Sequence, residues 1–341
     1  MEKTGLHELR KDPLLGRWVA VLNQSKAPSE YVIFPEDNSE KDCFLCAGRE
    51  KELPREIMSL PNPNLGATSM KWWTRVIPNP SPVFRVEGEM GRRGEGMYDR
   101  MNSIGANEII IESPYHSVRP EDVGIDQMAR VLSTYRDRMA DLEKDPRLRY
   151  TLIYKNSGIF AGAIYSHPIS HLVSTPVIPK RVKEELDNAK QYFTFKERCI
   201  FCDLMKEELR AGSRVIIETK NFMTFCPYAS KFPFESWIIP KRHNCAFQDF
   251  RTNEVEDMAL ILSSVLKKLR AIFDGVSFNY FIHSAPNRIP RKNHWHTLGE
   301  DFHWHLEIMP RLIRTSGFEW GSGIYILPTS PENAAKYLRE V

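Results

Sequence analysis

Four of the six cysteines in this 341-residue chain form two Cys-x-x-Cys pairs, Cys43 and Cys46 in "DCFLC" and Cys199 and Cys202 in "RCIFC". Each pair is followed by a β-branched run that ends in histidine: "NEIIIESPYHS" supplies His116, and "ESWIIPKRHN" supplies His243. Each half of the chain then closes on a His-rich stretch, "AIYSHPISHLV" with His167 and "FHWHLEIMPRL" with His303. The two sets, Cys43, Cys46, His116, His167 and Cys199, Cys202, His243, His303, therefore recur in the same order. Two thiolates and two imidazoles suit a tetrahedral zinc ion with no open position, which is a structural site. The bland alternative is that the histidines are ordinary residues and only the cysteine pairs matter; repetition of the full set in register favours metal. A redox pair would open a helix, whereas here each pair is followed by a charged segment and a strand-like run, which again favours metal. Cys226 and Cys245 stand alone.

The His-rich stretches carry a second chemistry. Residues two apart in a strand share a face, about 7 Å apart along the chain. His167, Ile169 and His171 therefore share one face, and His303, His305 and Glu307 another. An imidazole beside a zinc ligand is a natural nucleophile towards phosphorus, being neutral near pH 7. His305 occupies such a place; Ile169 occupies the equivalent place and cannot attack anything. A carboxylate at 307 repels phosphate unless it is protonated, turned aside or bound to a cation. Asn279 and His283 on the preceding run, "SFNYFIHSAP", are placed to help hold a ligand. His294 and His296 in "NHWH" read as loop residues.

These residues need a scaffold, and the chain supplies the same one twice: knuckle, strand, strand ending in His, helix, strand, His-strand. The helices are "PEDVGIDQMARVLSTYRDRMADLEKD", with Met128, Val131, Leu132 and Tyr135 at helical spacing, and "TNEVEDMALILSSVLKKLRAIF". A repeat of this length is a whole α+β unit. The expected fold class is α+β: two units with antiparallel sheets and packed helices about a pseudo-twofold axis, their strands continued into one sheet. The expected units are residues 1–178 and 179–341, with 179–198 as a helical crossover. "LPNPNLGATSM" and "VEGEMGRRGEGMYDRMNS" read as surface loops.

Hydrophobic residues at 42%, charged residues at 27% and a net charge of +3 describe a soluble globular protein with no nucleic-acid partner. No apolar run reaches membrane-spanning length. The charged start, "MEKTGLHELRKDPLLG", lacks the apolar centre of a signal peptide, so a cytoplasmic location is expected.

The chain resembles the histidine-triad-like nucleotidyltransferases, the family of galactose-1-phosphate uridylyltransferase and of the plant ADP-glucose phosphorylase type. The resemblance covers nearly the whole chain and rests on "ELRKDPLLGRWV", both knuckles, "IIIESPYHS", "YKNSGIFAGA", "WIIPKRH", "FHWHLEIMPRL" and "GFEWGSGIYILP". It implies tandem duplicated histidine-triad-like units with bound Zn, a nucleotide or nucleotide-sugar ligand, and allows a homodimer. The family's first-half strand reads His-x-His-x-Gln: the first His binds zinc, the second attacks the α-phosphorus, and the Gln steadies the phosphate. Here Ile169 stands at the nucleophile position and His171 at the Gln position. The family's Arg-x-Lys-Arg-Pro phosphate segment reads "LNQSKAPSEY", in which only Lys26 and Pro28 persist. One lysine cannot reproduce the bidentate contacts of two arginines. Asn79 in "VIPNP" and Asn156 in "YKNSG" match positions near ribose and phosphate, with turn-forming asparagine as the alternative.

The function so implied is a divergent nucleotidyltransferase acting on nucleotide sugars or sugar 1-phosphates, in galactose or related carbohydrate metabolism. The alternatives are a catalytically inactive zinc-containing nucleotide-binding or interaction protein of the same fold, and a non-covalent nucleotide hydrolase. His305 is the expected residue for any remaining covalent chemistry, with His171 reaching back over about 7 Å as the weaker variant. If Ile169 replaces a nucleophile, the surface around it should still be shaped for phosphate.

Overall fold

A computed structural model gives the fold over residues 6–33, 43–63, 71–116, 118–290 and 295–341. The sequence opens with two short strands, β1 (Glu8–Lys11) and β2 (Trp18–Val21). The first unit continues with β3 (Met58–Pro61), β4 (Trp72–Pro78), an exposed hairpin of β5 (Arg93–Glu95) and β6 (Tyr98–Arg100), β7 (Ala106–Ile111), helix α1 (Ile125–Leu142), β8 (Tyr150–Ser157) and β9 (Ile169–Thr175). Helix α2 (Lys180–Lys196) crosses to the second unit, as the sequence predicts. There follow α3 (Ile200–Ala211), β10 (Val215–Glu218), β11 (Phe222–Phe225), β12 (Ser236–Pro240), α4 (Thr252–Ile272), β13 (Phe278–His283), α5 (Leu298–Asp301) and β14 (His305–Pro310). The chain ends with α6 (Gly317–Ser322), β15 (Tyr325–Leu327) and α7 (Pro331–Glu340).

Ten strands form one sheet in the order β10-β11-β12-β14-β13-β8-β9-β7-β4-β3. Read outward from the centre, β13-β14-β12-β11-β10 repeats β8-β9-β7-β4-β3, so the pseudo-twofold passes between β8 and β13. Those two strands pair antiparallel from Phe278–Ser157 to Ile282–Ile153 and fuse the units. All pairings in this sheet are antiparallel. The continuous run Ile109–Ile111 is buried on both sides, as an interior strand covered on two faces requires.

One face packs on α1 and α4. Val131, Leu132, Tyr135 and Met139 of α1 and Met258, Leu262, Val265 and Leu269 of α4 line the core with Val76, Ile110, Ile153, Leu172, Ile282 and Leu306. On the opposite face the second unit is covered by α2 and α3, through Leu186, Ala189, Phe201 and Met205. The first unit is covered there by the first knuckle, whose Leu45 packs with Trp72, Ile77, Ile109, Ile111 and Ile169.

Three expectations change. Cys199 is the N-cap of α3, so the second Cys-x-x-Cys pair does open a helix; the apolar face of that helix, made by Ile200, Phe201 and Met205, needs an amphipathic segment there. The Gly-rich segment after Val86 is exposed as expected but folds into the β5–β6 hairpin, and of "LPNPNLGATSM" residues 64–70 lie outside the described residues. The N-terminal strands leave their own unit: β2 pairs parallel with β15 in a three-stranded sheet, tying residues 18–21 to the end of the second unit.

Candidate active site and metal centres

The four donors of the first set converge beyond the ends of the interior strands β7 and β9. Cys43 Sγ lies 3.7 Å from His167 Nδ1, and Cys46 Sγ lies 3.6 Å from His116 Nδ1 and 3.7 Å from His167 Nδ1. Around a tetrahedral ion with the usual Zn–S and Zn–N lengths, sulfur and nitrogen stand about 3.6 Å apart. The donors are thus spaced for one ion rather than for direct contact. The outer nitrogens are held in turn, His167 Nε2 by Ser113 O at 2.9 Å and His116 Nε2 by Ser166 Oγ at 3.1 Å, which orients both rings. Burial pushes His167 down to about 4, so the ring is neutral, as a ligand must be. In the second set Cys202 Sγ lies 3.4 Å from His243 Nδ1 and 3.6 Å from His303 Nδ1, and His243 Nε2 is held by Gly299 O at 2.9 Å. All ligand atoms within each set fall within 4.8 Å of one another.

A third group, Glu185, His283 and His305, meets the same distance test. His305 Nε2 stands 3.3 Å from Glu185 Oε1 and 3.6 Å from Glu307 Oε1, and His283 Nδ1 stands 2.7 Å from Glu185 Oε2. His305 Nδ1 faces the His303 carbonyl at 3.2 Å, which leaves Nε2 as the lone-pair side of the ring. Glu185 Oε1, His283 Nδ1, His305 Nε2 and Glu307 Oε2 are all buried without a hydrogen-bond partner. Buried polar atoms seldom go unpaired, and the three of Glu185, His283 and His305, which converge, fit a divalent cation held by imidazole and carboxylate. Glu307 beside them is held ionised. Burial alone would raise it, but His283, His305 and Arg181 outweigh burial and hold it at about 2, and Lys231 Nζ approaches it at 3.5 Å. This answers the objection raised by a carboxylate at 307. It also removes His305 from the surface: the ring is 0% exposed, stacked on Trp237 at 4.6 Å. A phosphorus atom has no path to it in this structure.

His171 is placed differently. Its ring lies over Tyr154 at 5.0 Å and 20° on the same sheet face, half-buried, with its Nδ1 buried and without a hydrogen-bond partner. Burial first, and then the charge of Lys155, lower its pKa, so the imidazole is neutral at pH 7. The register sets a row across the face, Ile109–His171–Tyr154–Phe281–Glu307. Beside it Asn156 Oδ1 accepts from Asn279 Nδ2 at 2.8 Å. Asn279 Nδ2 also reaches Ala161 O at 2.8 Å, and Asn156 Nδ2 reaches Gly162 O at 3.3 Å. Those carbonyls belong to a turn bounded by Gly158 (φ 88°) and Gly162 (φ 81°), a conformation that favours glycine. Asn156, but neither His171 nor Asn279, lines a cleft of about 440 Å³ walled by His116, His167, Lys155, Gly158 and Arg119.

Ile169 follows two residues after His167, which joins the first Cys/His set. Its surroundings are not those of a phosphate site. The side chain is 3% exposed and packs with Ile77, Ile109, Ile111 and Leu45, so the expectation of a phosphate-shaped surface at 169 is not met. Asn79 makes a local turn, its Oδ1 accepting from Ser81 N at 3.0 Å. Lys26 Nζ lies 4.5 Å over the Tyr31 ring, which packs on Phe234 and Phe273; among the described residues no contact joins it to Asn79, Asn156 or His171. His294 lies outside the described residues, and His296 is exposed just before α5.

Two features escape a reading by motif. Glu185 sits on the apolar stripe of α2 with Val182, Leu186 and Ala189; an acid on such a stripe is the signal that could have found it. Beneath Ile169, Lys155 Nζ donates to Glu112 Oε2 at 2.6 Å and to the Ile169 carbonyl at 3.0 Å, both side chains being 2% exposed. Strand alternation, which puts Lys155 on the helix face with Ile153, was the available clue.

The family profile described as galactose-1-phosphate uridyl transferase, C-terminal domain, matches residues 185–334. The ADP-glucose phosphorylase of Arabidopsis thaliana is 32% identical over 342 aligned residues, covering 98% of this chain and 93% of that protein. The galactose-1-phosphate uridylyltransferase of Thermotoga maritima is 28% identical over 341 residues, 98% of each chain. The crystal structure of an ADP-glucose phosphorylase from Arabidopsis thaliana with bound ADP-glucose superposes with a TM-score of 0.82 at 31% identity, covering 99% of both chains. With this likeness running the length of the fold, the chain belongs to the galactose-1-phosphate uridylyltransferase and ADP-glucose phosphorylase family.

Proposed function

We propose that the protein is a nucleotidyltransferase acting on nucleotide sugars or sugar 1-phosphates, with its ligand on the sheet face that carries His171, Tyr154, Asn156 and Asn279. The observation that carries the reading is the setting of His171: a neutral, half-buried imidazole on this sheet face, next to an amide pair on the fused strands. Any covalent step falls to this ring, since His305 is sealed. Attack by an imidazole nitrogen forms a P–N bond to the α-phosphorus while the P–O bond to the sugar 1-phosphate breaks. The departing oxygen takes the electron pair. An acceptor phosphate then forms a new P–O bond, and the imidazole leaves. Both Cys/His sets are read as structural zinc sites, which need the reduced thiols of a cytoplasmic setting.

Intact-protein mass after incubation with ADP-glucose and with UDP-glucose tests this. A nucleotidyl adduct on the wild type, lost in His171→Ala, is expected. Turnover unchanged in His171→Ala would exclude the assignment. The second reading, a nucleotide-binding protein without catalysis, is favoured by the isoleucine cluster at 169; ligand binding with neither adduct nor turnover would establish it.

A further inference from the structure

The chain lacks the arginine pair of its family's N-terminal segment, and Lys26 does not stand in for it. A phosphate ligand on the His171 face still needs fixed positive charge. Two guanidiniums lie over that face. Arg311 Nε donates to Asn279 Oδ1 at 2.5 Å, and its Cζ lies 4.8 Å from the Phe232 ring centroid. Arg181, in the first turn of α2, has its Cζ 5.8 Å from the centroid of Phe281. Asn279 and Phe281 are two apart on β13 and point to the same face, so the arginines hang over adjacent positions beside the His171 row.

Neither guanidinium pairs with a carboxylate among the described residues. The nearest acids are engaged elsewhere. Glu307 faces Lys231, His283 and His305. Glu235 accepts from the backbone amides of Lys231 and Phe232 and from Trp237 Nε1. Burial, and then the charge of Arg181, lowers the pKa of Arg311. Glu307 feels the charge of Arg181 and Glu235 that of Arg311, but neither carboxylate reaches its arginine directly; the two guanidiniums still repel each other, and an anion between them relieves that repulsion. The bond to Asn279 and the Phe232 ring hold Arg311 in place, which lowers the ordering cost of a bidentate contact, while Arg181 is exposed at the start of α2 beside the Phe281 ring.

We propose that Arg181 and Arg311 form the phosphate cradle of this protein, taking the place of the missing N-terminal arginines and holding the di- or monophosphate of the ligand across the Asn279–Phe281 segment. The proposal deepens the nucleotidyltransferase reading and rests on it for the identity of the rest of the ligand.

The test is calorimetric titration of the full chain with inorganic pyrophosphate, ADP and adenosine. The variants are wild type, Arg181→Gln, Arg311→Gln and Arg311→Lys, with Arg210→Gln as an exposed control, each checked for an unchanged melting temperature. Each Gln variant is expected to weaken ADP and pyrophosphate at least tenfold, to leave adenosine unchanged and to flatten the salt dependence of ADP binding; Arg311→Lys recovers part of the loss. ADP affinity unchanged in both Gln variants overturns the cradle and leaves the nucleotide reading intact. Arginine-dependent pyrophosphate binding with no nucleotide binding upholds the cradle and removes the nucleotide reading. Binding of none of the three probes by the wild type overturns both.

Discussion

Lys155 and Glu112 set the energetic stakes at single residues. Both are sealed at 2% exposure, and Tyr135 donates to Glu112 at 2.7 Å while Ser170 also bonds to it. Removing one member of a buried pair strands the other, which costs about 3–5 kcal/mol. Lys155→Met is therefore expected to destabilise by that amount in urea denaturation, and Lys155→Met with Glu112→Leu by clearly less. A loss below about 1 kcal/mol in the single variant would mean the pair contributes little. Burial would raise the Glu112 carboxyl, but Lys155, Ser170 and Tyr135 outweigh it and leave the pKa below 4.5. A carboxyl lowered on folding contributes stability that is full above its unfolded pKa and lost as pH falls through the folded one. Wild-type stability should therefore decline below about pH 4.5, and Glu112→Gln should flatten that limb.

At the scale of elements, the metal sets join segments that little else connects. The first knuckle reaches the sheet through His116 after β7 and His167 before β9. The second places Cys199 at the N-cap of α3 with Cys202 in its first turn, where the helix dipole favours thiolate. Helix α2 carries Arg181 and Glu185 one turn apart, Glu185 reaching His283 and His305 and Arg181 reaching the Phe281 ring. Elemental analysis should find one ion fewer in Cys43→Ser and one fewer in Cys199→Ser, each with a lower melting temperature, since binding here is part of folding free energy. Glu185→Gln should remove a third ion and leave both Cys/His ions in place. Full metal content in Glu185→Gln would show that the third group holds none.

For the whole molecule, the decisive contact is β8 with β13. It merges the two units into one sheet and brings Asn156 of the first beside Asn279 of the second. The β2–β15 pairing crosses the units a second time. A chain cut after residue 178 should therefore give two segments that each expose a central strand, an aggregation-prone edge. Neither is expected to behave as a folded monomer in gel filtration alone, while co-expression should restore a single species. A soluble, cooperatively unfolding 1–178 segment would refute this.

The sequence by itself determined the duplication, the α+β class and the two Cys/His sets. Those follow from local order: ligand spacing, strand alternation and helical periodicity need no knowledge of distant neighbours. It also placed His171 and Ile169 on one face correctly. Tertiary structure alone decided the rest. That His305 is sealed depends on Glu185, 120 positions earlier, and on Trp237 from another strand. That Ile169 is packed depends on isoleucines of β4 and β7 meeting the knuckle. That Arg181 and Arg311 share a face with Asn279 depends on how α2 crosses and on the register of β13 with β8. Exposure, charge pairing and pocket shape are properties of what lies across the sheet, and a linear pattern encodes which face a residue takes but not what the fold lays over that face.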